Sequence, residues 1–224
     1  VIKLKINNCI MNKKKILIFD FDGVILDSVN IKTLAFQEIF KEQSKIIVKK
    51  ITHHHEVNGG MSRLNKIKYY YKYFIKRQLT KKIEEKLIKK FKLIIFKKIL
   101  KCKYIAGSYS FIKKSKNYDC YISSGTPQNE LRQICKIRGI SKYFKNIYGS
   151  PQSKENHIKL IFKKHRKNKK DFIFLGDSIT DKDAAKKCNI PFIQVGNFIS
   201  KSRKAKIIIP NLKKLHETLK KFDD

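Results

Sequence analysis

Two carboxylates one residue apart, Asp20 and Asp22, close the run Lys15-Ile-Leu-Ile-Phe-Asp-Phe-Asp-Gly23. Acids this close repel each other unless a cation sits between them or one keeps its proton. A second pair, Asp177 and Asp181, stands in Gly176-Asp-Ser-Ile-Thr-Asp181, and between the two pairs lie Ser124-Gly125-Thr126 and Lys154. These residue types suit phosphoryl chemistry. Asp20 can act as a nucleophile and Asp22 as an acid and base. Asp177 with Asp20 offers hard oxygen ligands, for which Mg²⁺ is the usual choice beside phosphate. Ser124 and Lys154 supply a hydroxyl and an ammonium where a transferring phosphoryl group develops charge.

Such residues need a scaffold that brings distant segments together. Short β-prone apolar runs occur at 15–20, 118–123, 171–176 and 192–195, with a further candidate at 206–209. Helical patterns fill 128–138, which follows Thr126-Pro127 and stops before Gly139, and also 154–167, 180–188 and 211–222. Buried strands alternating with helices predict an α/β fold, a Rossmann-like, doubly wound parallel sheet. Alternate strand residues share a face, so Asp20 and Asp22 emerge together at a strand tip. Ligands of such sheets sit beyond the carboxyl ends of the strands. Three predicted strand ends carry the reactive residues: Asp20 with Asp22, Ser123-Ser124-Gly125, and Gly176-Asp177.

Residues 29–103 interrupt this alternation with no convincing strand pattern, and 30–45, 62–78 and 81–100 read as amphipathic helices. The expected organisation is a catalytic core of 11–28 and 104–224 and a helical cap, or lid, of 29–103 inserted after the first strand. Lids exclude water and add substrate contacts. Within this one, Tyr69-Tyr70-Tyr71 with Tyr73-Phe74 suggests core packing. The segment His53-His-His-Glu-Val-Asn-Gly-Gly-Met-Ser-Arg-Leu-Asn-Lys66 is the candidate for substrate selection. Gly59-Gly60 makes a flexible turn, Ser62 can cap the following helix, and Arg63 at that helix start suits an anionic group. Of the three histidines, His55 is the candidate to face substrate.

Taken in order, Asp20-x-Asp22-Gly23-Val24, strand-end Ser124, Lys154 in Gly149-Ser-Pro-Gln-Ser-Lys154, and Gly176-Asp177…Asp181 resemble the four motifs of the haloacid dehalogenase superfamily. The resemblance runs from Lys15 over nearly the whole chain. The insert's position is similar to the helical-cap subclass that includes phosphoglycolate phosphatase and β-phosphoglucomutase. The resemblance implies that Asp20 attacks phosphorus to give an aspartyl-phosphate. Asp22 protonates the leaving oxygen and then takes a proton from the hydrolytic water. It further implies that Mg²⁺ is held by Asp20, the Asp22 backbone carbonyl and Asp177, with Asp181 orienting the metal's water shell or Lys154. Gly125, Thr126, Lys32, His55 and Arg63 are the expected contacts to phosphate and substrate.

Dehalogenases generally lack the second aspartate, so Asp22 favours phosphoryl transfer. In sequences like β-phosphoglucomutase a histidine usually stands ten residues after that aspartate, where this chain has Lys32. That departure favours a phosphatase over the alternative, a sugar phosphomutase. Phosphonatase relatives use a lid lysine as a Schiff base. Lys32 or Lys66 could stand there, but the match carries little weight in a chain so rich in lysine.

The 53 basic and 18 acidic residues give a net charge of +35, which ordinarily suggests nucleic acid or an anionic membrane. Only six of the basic residues are arginine, and the lysines are scattered along a chain also rich in Ile, Asn, Phe and Tyr. Those types share A/T-rich codons, so genome composition accounts for the excess, and nucleic-acid binding remains only an alternative. The intact acids at 20, 22, 177 and 181 argue against it, since a binding module has no need of them. The positive field would help draw in a phosphorylated metabolite. Five dispersed cysteines form no Cys-x-x-Cys pair, so reduced thiols and a cytoplasmic location are expected. No apolar run reaches the roughly 20 residues that span a membrane, and the expected assembly is a monomer or homodimer. Met11 reads as the natural start, with residues 1–10 an upstream or frayed extension.

Overall fold

A computed structural model describes residues 14–165, 168–196 and 205–222. Met11 and the stretch before it lie outside the described residues. Six strands, β1 (Ile16–Phe19), β2 (Asp119–Pro127), β3 (Asn146–Ser150), β4 (Phe172–Gly176), β5 (Phe192–Val195) and β6 (Ile207–Ile209), form one sheet. Its order is β3-β2-β1-β4-β5-β6 and every pairing is parallel. The expected α/β architecture is therefore present, with β1 central between β2 and β4.

Strand periodicity sorts the core into two layers. Ile16 and Ile18 join Tyr121, Phe172 and Phe174 against α7 (Lys154–Lys164) and α8 (Ile179–Cys188). Leu17 and Phe19 point the other way, into a cluster with Ile122, Leu175 and Ile193. That cluster is covered by α5 (Ser108–Lys113), α6 (Gln128–Ile137) and α9 (Leu215–Lys220). All four β1 side chains are buried, which is why the strand reads as a continuous apolar run rather than an alternating one.

Four helices fill the insert: α1 (Val29–Ile39), α2 (Lys45–Val57), α3 (Arg63–Tyr70) and α4 (Lys81–Lys101). The chain leaves and returns side by side: Asp27 N–H donates to the Lys103 carbonyl, and Ile105 N–H to that of Ile25, both at 3.0 Å. The expected helix over 30–45 ends at Ile39, and a separate α2 starts where the Ser44 hydroxyl accepts from Ile47 N–H. The expected helix over 62–78 gives way to a π turn at Tyr71–Ile75 and stops at Lys76, whose φ of 56° is left-handed. Tyr70 is fully buried, edge-on to Phe36 and Phe40 and stacked on Phe74, as core packing requires, while Tyr69, Tyr71 and Phe74 are partly buried and Tyr73 is exposed.

Candidate active site

The C-terminal tips of β1, β2 and β4 converge on one buried group of side chains. Asp20 follows β1 directly, and its N–H still donates to the Leu175 carbonyl at 2.8 Å. One Asp20 oxygen accepts from Phe21 N–H at 2.7 Å, and the other lies 2.8 Å from Lys154 Nζ. Lys154, the first residue of α7, also pairs with Asp181 of α8. Asp181 is fixed in turn by Ser178, whose N–H and hydroxyl donate to it at 3.1 and 2.6 Å. Asp177 completes the group. One carboxylate oxygen each from Asp20, Asp177 and Asp181 lies within 4.8 Å of the others, and all three residues are buried.

Three buried carboxylates around one ammonium leave an excess of negative charge. Burial, then the Asp181 carboxylate, pushes Asp20 up to about 7 against the pull of Lys154. Asp177 is raised well above the usual range by burial and by Asp20. Burial alone would lower Lys154, yet Asp181 and Asp20 outweigh it and hold the ammonium above its ordinary value. An all-oxygen cluster strained in this way fits a hard divalent cation, which would relieve the repulsion that raises both acids. Gly23 makes room for the Asp177 carboxylate. Its φ of 77° is left-handed, and a Cβ there would collide with the Asp177 carboxylate.

Asp22 occupies a different environment from Asp20. Its carboxylate accepts from the Ser28 hydroxyl at 2.5 Å and from the Thr126 hydroxyl at 3.1 Å, and it pairs with Lys32 of α1. Lys32 also donates to the Thr126 hydroxyl at 2.8 Å. Burial raises Asp22, but Lys32, Ser28 and Thr126 outweigh it and hold the carboxyl below its usual range. Ser124, in the C-terminal half of β2, is buried and lines the same cavity as Asp20, and its hydroxyl accepts from Thr126 N–H at 3.1 Å.

The insert closes directly on these tips. A Cβ on Gly125 would stand 2.6 Å from the Gly60 carbonyl, and one on Gly60 would collide with the Thr180 hydroxyl. Gly125 thus lets two backbones approach closely, and Gly60 leaves room for the side chains of Thr180, Lys154 and Ser178. Arg63 lines the site but is already paired with an acid. Its guanidinium is bidentate to Glu130 of α6, at 2.7 and 3.2 Å, and stacks over Phe91 at 4.3 Å. This ion pair ties the insert to the core and has no local sequence signature, since its partners are 67 residues apart. Ser62 caps α3 as expected, accepting from Asn65 N–H at 3.3 Å.

The three adjacent histidines diverge. His53 is exposed, His54 stacks on Tyr69, and His55 is buried against Phe36 with Lys66 Nζ 2.6 Å from its Nδ1. The structure thus joins Asp20, Lys154, Asp177 and Asp181 in one cluster and Asp22, Lys32 and Thr126 in another. His55 and Arg63 stand across a cavity of about 30 Å³, lined also by Lys66, Gly125 and both Asp20 and Asp22.

A family model described as "Haloacid dehalogenase-like hydrolase" matches residues 17–195. The chain belongs to that family. Among solved structures, a β-phosphoglucomutase from Clostridium difficile superposes with a TM-score of 0.75 at 19% identity, covering 94% of this chain and 97% of the other. A predicted phosphoglycolate phosphatase from Haemophilus somnus gives 0.73 at 16% identity, over 92% and 98%. The magnesium-bound hydrolase YfnB of Bacillus subtilis gives 0.69 at 16% identity, over 93% and 100%. At these identities the likeness shows the fold alone. Among curated proteins none matches the chain by sequence. No helix among the described residues is long and apolar enough to cross a membrane.

Proposed function

We propose that this haloacid dehalogenase-like hydrolase is a Mg²⁺-dependent phosphatase acting on a small phosphorylated metabolite. The observation that carries this reading is the division of the carboxylates. Asp20, Asp177 and Asp181 crowd around Lys154, while Asp22 stands apart on hydroxyls and Lys32. Asp20, Asp177 and the Asp22 backbone carbonyl would hold the cation, with Asp181 positioning Lys154. Bound there, Mg²⁺ would keep the Asp20 carboxylate ionised and screen the charge of an approaching phosphoryl group.

Asp20 attacks phosphorus as the bond to the leaving oxygen breaks, and Asp22 gives that oxygen its proton. The resulting aspartyl-phosphate is then hydrolysed by a water whose proton returns to Asp22, releasing phosphate and restoring Asp20. Lys154 and the Ser124 hydroxyl bind the phosphoryl oxygens through both steps, with Thr126 and the Gly125 backbone at the same strand end. Asp22 cannot donate while Lys32 holds it ionised. Lys32 must therefore transfer to the incoming phosphoryl group, which lets burial raise Asp22 into its acid form. A cavity of about 30 Å³ holds little more than a water molecule, so the insert acts as a lid that opens to admit substrate.

The test is phosphate release by the purified chain with Mg²⁺ from sugar phosphates, phosphoglycolate and p-nitrophenyl phosphate. Release that disappears in Asp20→Asn supports the reading. An inert wild-type protein across the whole panel overturns it.

A further inference from the structure

Lys66 is a buried basic side chain that the phosphoryl chemistry leaves unused. It projects from α3, is 1% exposed, and lines the same cavity as Asp20. Nζ donates to His55 Nδ1 at 2.6 Å and to the His55 carbonyl at 3.2 Å, and it lies 5.7 Å from the Phe36 ring. Three cationic side chains line this cavity, and two of them already have an acid: Lys32 pairs with Asp22, and Arg63 with Glu130. Lys66 has hydrogen bonds only to His55 and no ion pair among the described residues. His55 does not balance its charge. Burial, then Lys66 itself, pushes that imidazole down to about 2, so it is a neutral acceptor. Burial and the nearby Lys32 hold the Lys66 ammonium well below its ordinary range.

A buried amine without a counter-ion is costly. Here it is held in one place by a neutral imidazole, in the wall of a small cavity that the nucleophile also lines. The missing partner is an oxyanion, and the cavity is where it would come from. We propose that Lys66, oriented by His55, forms a subsite for a second anionic group of the substrate, carried beyond the phosphoryl group that Asp20 attacks. The substrate class is then a phosphomonoester with a carboxylate or a further phosphate a short carbon chain away. This rests on the phosphatase reading above, and it moves the anion-recognising role from Arg63, which Glu130 already satisfies, to Lys66.

The experiment compares ester pairs that differ only in the second group. Phosphoglycolate is set against ethyl phosphate, and 1,3-propanediol bisphosphate against propyl phosphate, with p-nitrophenyl phosphate as the reference. The wild-type protein should prefer the acidic member of at least one pair by about tenfold or more in kcat/KM, mainly through KM. Which pair shows the preference identifies the anion as carboxylate or phosphate. Lys66→Gln should bring that ratio close to one, and Lys66→Arg should restore part of it. Each ratio is taken within one protein, so partial loss of folded enzyme cancels. Equal turnover of both members by wild type, with p-nitrophenyl phosphate still hydrolysed, overturns the subsite and leaves the phosphatase reading standing. A preference that survives in Lys66→Gln also overturns it. Failure to release phosphate from any ester removes the phosphatase reading, and the subsite with it.

Discussion

On the core side three carboxylates cluster and Lys154 pairs with two of them, whereas on the insert side Lys66 has no ion pair among the described residues. The two imbalances have opposite signs and are set by different means. Short loops at strand tips, fixed by backbone N–H groups and the sheet itself, hold the core acids together. The insert's amine is held by a helix and one histidine, on an element joined to the core through two adjacent strands of chain and the side-chain pairs Arg63–Glu130 and Lys32–Asp22. Rigidity belongs where bonds are made and broken. Recognition that varies between substrates belongs on the insert. On this view, core substitutions stop the chemistry for every ester, while insert substitutions change which ester is chosen.

The largest effect should come from Asp20→Asn. Loss of the nucleophile is expected to reduce phosphate release by about 10⁴-fold or more for all substrates alike, and Asp22→Asn by about 10²- to 10⁴-fold. Initial-rate assays over the ester pairs check this. A variant that lost activity on one ester and kept it on another would break the division between the faces.

Next in size is Glu130→Gln, which leaves Arg63 buried beside Phe91 without its counter-ion. Removing one partner of a buried pair costs about 3 kcal/mol or more. The loss should fall on the closed arrangement of the insert, seen as faster amide exchange in α3 with smaller changes in β1 and β4. The freed Arg63 should also attract anions. The preference for acidic esters is expected to rise, the reverse of the Lys66→Gln result.

Mg²⁺ should act on the core face alone. At a free concentration about 100 times its Kd, it would stabilise the wild-type fold by about 3 kcal/mol. Thermal melts with and without Mg²⁺ should show that gain, and Asp177→Asn should abolish it. Lys66→Gln should retain it in full.

Much of the core face was legible because each part is local. Asp20 with Asp22, Ser124-Gly125-Thr126 and Gly176-Asp177 each follow a short apolar run, and strand tips of a parallel sheet meet by construction. The strand β3 was not legible, since Asn146-Ile-Tyr-Gly-Ser holds only two apolar side chains to mark it. Nor was α2, whose start depends on the Ser44 cap. The insert face was harder still. Arg63 looked like a free anion receptor because nothing near it in sequence discloses Glu130, and Lys66 was one lysine among many. Which cation has an acid and which lacks one is a property of packing, and no spacing records it.

The smallest effect is a slope with pH. Lys66 has its folded-state pKa lowered well below the unfolded value by burial and by Lys32, with Asp22 and Asp177 opposing and Lys154 adding to the shift. Between those two pKa values the unfolded chain binds a proton at this side chain that the folded chain does not. Stability from this group therefore rises with pH through the window, by at most about 1.4 kcal/mol per pH unit, and levels off above the unfolded pKa. Lys66→Met removes the group, and it also removes the bonds to His55, a cost that does not depend on pH. The stability of Lys66→Met relative to wild type should thus be greatest at the acidic end of the window and decline as pH rises toward 10.5. Denaturant titrations of both proteins from pH 6 to 10 measure the difference, in which titrations common to both cancel. A difference that stays flat across this range would mean that Lys66 keeps its proton in the folded state. Asp22 and Asp177 would then balance its ammonium, and the insert side would carry no imbalance for a substrate anion to relieve.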